Sequence, residues 1–97
     1  MFIISLTYKV PLDQIEPLIP EHNDFPEKYY HSGYFITSGR KEPRTGGIIL
    51  CNASSEKEIE KIIQEDPFYT HQTTDYDIME FIPSKYNEHF KFFIQNA

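Results

Sequence analysis

The 97-residue chain predicts an α+β domain in which strands and helices follow one another as βαββαβ. Three observations lead to it: apolar stretches with strand periodicity, apolar residues at helical spacing between them, and proline and glycine turns at the joints. The opening FIISLTYKV alternates, with Phe2, Ile4, Leu6 and Tyr8 on one side and Ile3, Ser5, Thr7 and Lys9 on the other, and is the first strand. Pro11 breaks it. From Leu12 the apolar residues change to helical spacing through Ile15, Leu18, Ile19, Phe25 and Tyr29. Pro17, Pro20 and Pro26 require this helix to bend or break, because an interior proline removes a hydrogen bond and clashes with the preceding turn. Gly33 suits a left-handed C-terminal cap and ends it. YFITSGRKE is the second strand, PRTGG is turn chemistry, and GIILCNA, apolar on both faces, is a central strand. Ser55 and Glu58 have the spacing of a capping box and open a second helix, which runs to about Glu65. After an Asp66-Pro67-Phe68 turn and a polar loop, TDYDIMEFIP is the last strand, stopped by Pro83. The tail YNEHFKFFIQNA mixes periodicities and predicts no single element.

This order is the split arrangement of the ferredoxin-like fold, a four-stranded antiparallel sheet with both helices on one face. The length is that of one domain, residues 1–97, with 84–97 a C-terminal tail. Ile48 and Leu50 stand opposite Ile49 and Cys51, and Tyr76 and Ile78 opposite Met79 and Phe81, so a monomer would leave apolar side chains wet. A homodimer packed sheet to sheet is the physical expectation, with the tail aromatics against the partner. A net charge of -6, with the acids spread along the chain, speaks against a nucleic-acid partner. No apolar run reaches the ~20 residues of a membrane span, so no membrane role is expected. One cysteine, Cys51, forms no internal disulfide, and the N-terminus reads as no targeting segment, which points to the cytoplasm. No His or Cys pair has zinc-ligand spacing; no metal and no cofactor is expected.

Two ionisable residues interrupt apolar faces. Ile15, Ile19, His22, Pro26 and Tyr29 form one stripe of the first helix if helical phase survives the prolines. Ile59, Ile62, Ile63 and Asp66 form the corresponding stripe of the second. Side-by-side packing over the sheet would bring His22 and Asp66 within hydrogen-bond reach, and a carboxylate fixes the tautomer of imidazole and raises its basicity. The structural alternative is an Asp66 that caps a short turn with Pro67 at its first helical position, and a His22 that is only a satisfied core residue. The two are compatible, since a capping carboxylate has a second oxygen. Ser38, Gly39, Arg40, Lys41 and Arg44 can present a hydroxyl and cations to an anionic ligand, or form an ordinary solvated strand end.

PEHNDF around His22, SGYFITSGR, PRTGGIIL and above all EDPF resemble the YciI-like, or YCII-related, domain family, over about Met1 to Tyr86. The resemblance implies a ferredoxin-like domain that dimerises through its sheets and an active-site pair at His22 and Asp66. Gly39-Arg40 departs from the Gly-Pro that the family often has there.

Two functions fit these residues. One is a small cofactor-independent enzyme of lyase or isomerase type, in which His22, oriented by Asp66, moves a proton on a small aromatic or anionic substrate contacted by Ser38 and Arg44. The other is a non-catalytic dimeric module that binds a small molecule or a protein, with His22 and Asp66 a buried structural pair.

Overall fold

The computed structural model describes residues 1–95. Strand β1 (Phe2–Tyr8) is followed by a broken helical segment: α1 (Leu12–Ile15), a 3₁₀ turn (Glu16–Leu18), α2 (Ile19–Asp24) and α3 (Glu27–Ser32). Then come β2 (Phe35–Arg40), β3 (Gly46–Cys51), α4 (Glu56–Ile63), the one-turn α5 (Pro67–Thr70) and β4 (Thr74–Glu80). The strands form one antiparallel sheet in the order β2-β3-β1-β4. Helices α1 to α5 cover one face of it, the ferredoxin-like arrangement.

The prolines break the first helix without spoiling its face. Pro17 is the second residue of the 3₁₀ turn, Pro20 lies in the first turn of α2, and Pro26 is the N-cap of α3. At a helix start the missing N–H was unpaired in any case, so each proline costs little. Ile15 and Tyr29 are buried and Ile19, His22 and Pro26 half-buried, so the stripe stays in phase across three joints. Gly33, at φ 86°, ends α3 with its N–H on the Tyr30 carbonyl.

Phe2, Ile4 and Leu6 of β1 face the helices and form the core with Phe35, Ile49, Cys51, Ile59, Ile62, Ile63 and Phe68. Strict alternation from Phe35 would turn Thr37 and Gly39 toward the helices. A bulge between Phe35 and Thr37 shifts the phase, so Ser38 lies opposite buried Ile49 and Arg40 opposite Gly47, on the helix side of β2. A Cβ on Gly46 would lie 1.7 Å from the Leu6 carbonyl oxygen, which is why β3 enters the sheet on a glycine.

The start of α4 differs in one bond from a capping box. The Ser55 hydroxyl accepts the Glu58 N–H at 3.3 Å, but the Glu58 carboxylate reaches Ser54, accepting from its N–H at 3.3 Å and from its hydroxyl. Past β4 the tail forms a 3₁₀ turn (Glu88–Phe90) and α6 (Lys91–Gln95), and the Asn52 amide donates to the Phe93 carbonyl at 2.8 Å. The last two residues of the expected tail, 96 and 97, lie outside the described residues. Among the described residues no helix is long and apolar enough to cross a membrane.

Candidate functional site

Pro67 fixes the conformation of Asp66. The residue before a proline is pushed out of the helical region, and Asp66 sits at φ -76°, ψ 128°, which ends the run begun in α4. Its side chain turns back as the N-cap of α5, and Oδ1 accepts the Phe68 N–H at 3.0 Å. The same oxygen accepts from His22 Nδ1 at 2.7 Å. Oδ2, the oxygen left over by the cap, is taken by Tyr76, whose hydroxyl donates to it at 2.6 Å. Both sequence readings of Asp66 therefore hold together, with cap and imidazole sharing one oxygen and the phenol on the other. Asp66 is fully buried, and three donors converge on a group that only accepts, as a carboxylate does.

Phe68 contributes its ring as well as its N–H. The His22 imidazole stacks on it with centroids 3.9 Å apart and planes 8° from parallel, and Tyr8 meets the same ring edge-on at 5.7 Å. The stack and the Nδ1 bond fix the ring against rotation about its χ2 angle. With Nδ1–H committed to the carboxylate, the neutral ring has its lone pair on Nε2, which has no protein partner among the described residues. Tyr76 keeps its proton: burial, then the Asp66 charge and the hydrogen bond to it, push the phenol well above its ordinary range. It acts as a permanent donor that holds Asp66.

Glu65, one residue before Asp66, ties the same corner to α3. It accepts from the Tyr29 hydroxyl and pairs with Lys28, whose hydrogen bond holds the Glu65 carboxyl below its usual range. Consecutive acids thus fasten the end of α4 to α2 and α3, the outer one in solvent and the inner one in the core.

His22 lines a pocket of about 120 Å³ between the helices and the β2–β3 end of the sheet. Leu6, Tyr8, Phe25 and Phe68 supply apolar and aromatic wall, and Ser38, Gly39 and Arg40 the opposite rim. Of the expected site residues, His22 and Asp66 are brought into direct contact and Ser38 lines the pocket, its hydroxyl bonded to that of Tyr30. Arg44 stands apart: it does not line the pocket, and its Nη1 lies 3.5 Å from Glu16 Oε1. Tyr76 touches Asp66 without lining the pocket, and Arg40 lines it. Cys51 is a buried core thiol, pushed up to about 12 by burial first and the Glu58 charge second.

The profile of one protein family, described as the YCII-related domain, matches residues 1–82. A search of curated proteins finds no match. Among solved structures, the chain is similar to 5-chloro-2-hydroxyhydroquinone dehydrochlorinase (TftG) from Burkholderia phenoliruptrix AC1100, in complex with 2,5-dihydroxybenzoquinone. The TM-score is 0.70 at 16% identity, over 92% of this chain and 98% of that one. At that identity the likeness concerns the fold.

Proposed function

The chain belongs to the YCII-related domain family, and we propose that it is a small-molecule enzyme in which His22 Nε2 removes a proton from a substrate seated in the pocket. The observation that carries this is the bond from Nδ1 to a buried carboxylate, which leaves Nε2 as the one ring nitrogen free to act as a base. When Nε2 takes a proton, the positive charge forms 2.7 Å from Asp66, which stabilises the imidazolium without itself accepting the proton. Among the described residues that line the pocket there is no Cys or Lys, and the one serine, Ser38, has its hydroxyl bonded to Tyr30, so abstraction followed by elimination or isomerisation suits the site better than acyl transfer. The dehydrochlorinase of similar fold supports that class, since loss of hydrogen chloride is an elimination. Ser38 is the proposed polar contact on the opposite rim.

The test does not need the product. Small carbon acids, among them hydroxylated quinones, cyclic ketones and keto acids, are incubated with the protein in D₂O and deuterium uptake is read by NMR. The expected result is uptake on at least one of them above the buffer rate, greatly reduced in His22→Gln. Uptake on none, or an equal rate in the variant, ends the proposal.

The wet face of the sheet supports a second copy as partner. Ile3 lies between Leu50 and Met79 in one row, and Met79 and Ile48 are 64% and 39% exposed. We propose that two chains pack these faces together and that the tail aromatics lie at the seam. Sedimentation of the full chain as a single 11.5 kDa species would contradict it. A cytoplasmic site of action is proposed on the lone free thiol.

A further inference from the structure

Arg40, Gly47, Leu6 and Tyr76 form one row across all four strands: Arg40 pairs with Gly47, Gly47 with Leu6, and Leu6 with Tyr76. Directly opposed residues share a face of a sheet. Leu6 is buried under the helices, so Arg40 stands on the helix side, at the rim of the pocket that His22 lines. Gly47, without a side chain, leaves the row open between Arg40 and Leu6.

The charges around this gap are unlike those of the rest of the molecule. The chain has fifteen Asp and Glu against nine Lys and Arg, yet none of the residues lining the pocket carries a carboxylate. Four of the other cations are engaged, Arg44 with Glu16 at 3.5 Å, Lys9 with Asp75 at 3.4 Å, Lys28 with Glu65, and Lys41 with the Thr7 hydroxyl at 3.1 Å, and Lys57, Lys61, Lys85 and Lys91 do not line the pocket. Among the described residues no acid pairs with Arg40. Asp66, the carboxylate that His22 touches, is behind the His22 ring and already accepts three hydrogen bonds. Arg40 is exposed at the pocket mouth, and a guanidinium whose five donors have no protein partner among the described residues is suited to receive an oxyanion there.

The enclosed part of the pocket, about 120 Å³, is near the roughly 150 Å³ of an engineered cavity that holds benzene, so it seats one ring or an aliphatic group of that bulk, with the mouth open to solvent. Its walls are aromatic on the His22 side. We infer that the ligand is a compact organic oxyanion of about one ring, its charged oxygens on Arg40 and its opposite end toward His22. This rests on the pocket being the substrate site.

Benzoate and 4-nitrophenolate, at a pH where both are ionised, are titrated into the full chain with benzamide as the neutral comparison. Binding is followed through the backbone amide signals of Gly39 and Gly47, which line the pocket and are present in every variant. Carboxylate and phenolate are the two sources of the oxyanion, and the titrations separate them. The expected result is saturable binding of at least one anion, about tenfold or more tighter than benzamide. Arg40→Gln should reduce it to the benzamide level and Arg40→Lys, which keeps the charge but loses the fork, only in part. Benzamide binding as tightly as both anions, saturation by neither anion, or full affinity in Arg40→Gln overturns the inference. If the anion preference is absent while deuterium uptake persists, this inference alone falls. If anions bind at Arg40 and no carbon acid exchanges, the proton-transfer reading falls and this one stands.

Discussion

Asp66→Ala is expected to destabilise the chain by about 3–5 kcal/mol, the largest loss from replacing any polar side chain described. The group removed is fully buried and accepts from Phe68 N–H, His22 Nδ1 and Tyr76 hydroxyl. Alanine leaves all three donors facing a void, and a buried donor without a partner costs about 1–3 kcal/mol. The N-cap of α5 is lost in the same change, and a cap contributes about 1 kcal/mol. Glu65→Ala next to it is the control: Glu65 is largely in solvent, where ion pairs contribute at most about 1 kcal/mol. Urea unfolding of the two variants reads the contrast. Similar small losses in both would mean that the Asp66 network does not hold this corner.

His22→Gln is expected to slow deuterium uptake by about 10²–10⁴-fold, the range that a positioned general acid or base contributes. Glutamine retains a donor for Asp66 and much of the contact with Phe68, so the fold and the pocket persist while the lone pair of Nε2 is gone. What remains is the effect of seating the substrate. Asp66→Asn separates orientation from basicity in the same assay. The amide can still cap α5, since Asn and Asp are equal N-caps, but it lacks the charge that stabilises the imidazolium. A loss smaller than that of His22→Gln and larger than that of a pocket-wall change is the expected order.

The pairing of His22 with Asp66 was legible because two helical stripes each carried one ionisable residue where an apolar one was due. The prolines that threatened the first stripe proved harmless for a local reason: each stands at the start of a short helix. Tyr76 was not legible as a partner. Alternation along β4 reads it as one more inward aromatic, and its bond to Asp66 depends on β4 lying beside β1 at the sheet edge. Nor did spacing separate Arg40 from Arg44. Arg40 is the last residue of the second strand and Arg44 lies in the turn after it, and the distinction arises from the bulge after Phe35, which rotates Ser38 and Arg40 to the helix side, and from Glu16, which engages Arg44. Bulges and long-range ion pairs depend on the assembled sheet, where local periodicity carries no information about them.

The proposed chemistry depends on one proton. The ring nitrogens of His22, assigned with His22→Gln, are to be observed at neutral pH by long-range ¹H–¹⁵N correlation. The expected result is a proton on Nδ1 and, in the neutral ring, none on Nε2, in keeping with the 2.7 Å bond from Nδ1 to Asp66. A proton on Nε2 and none on Nδ1 would contradict it, because the nitrogen facing the substrate would then be a donor with no base to offer.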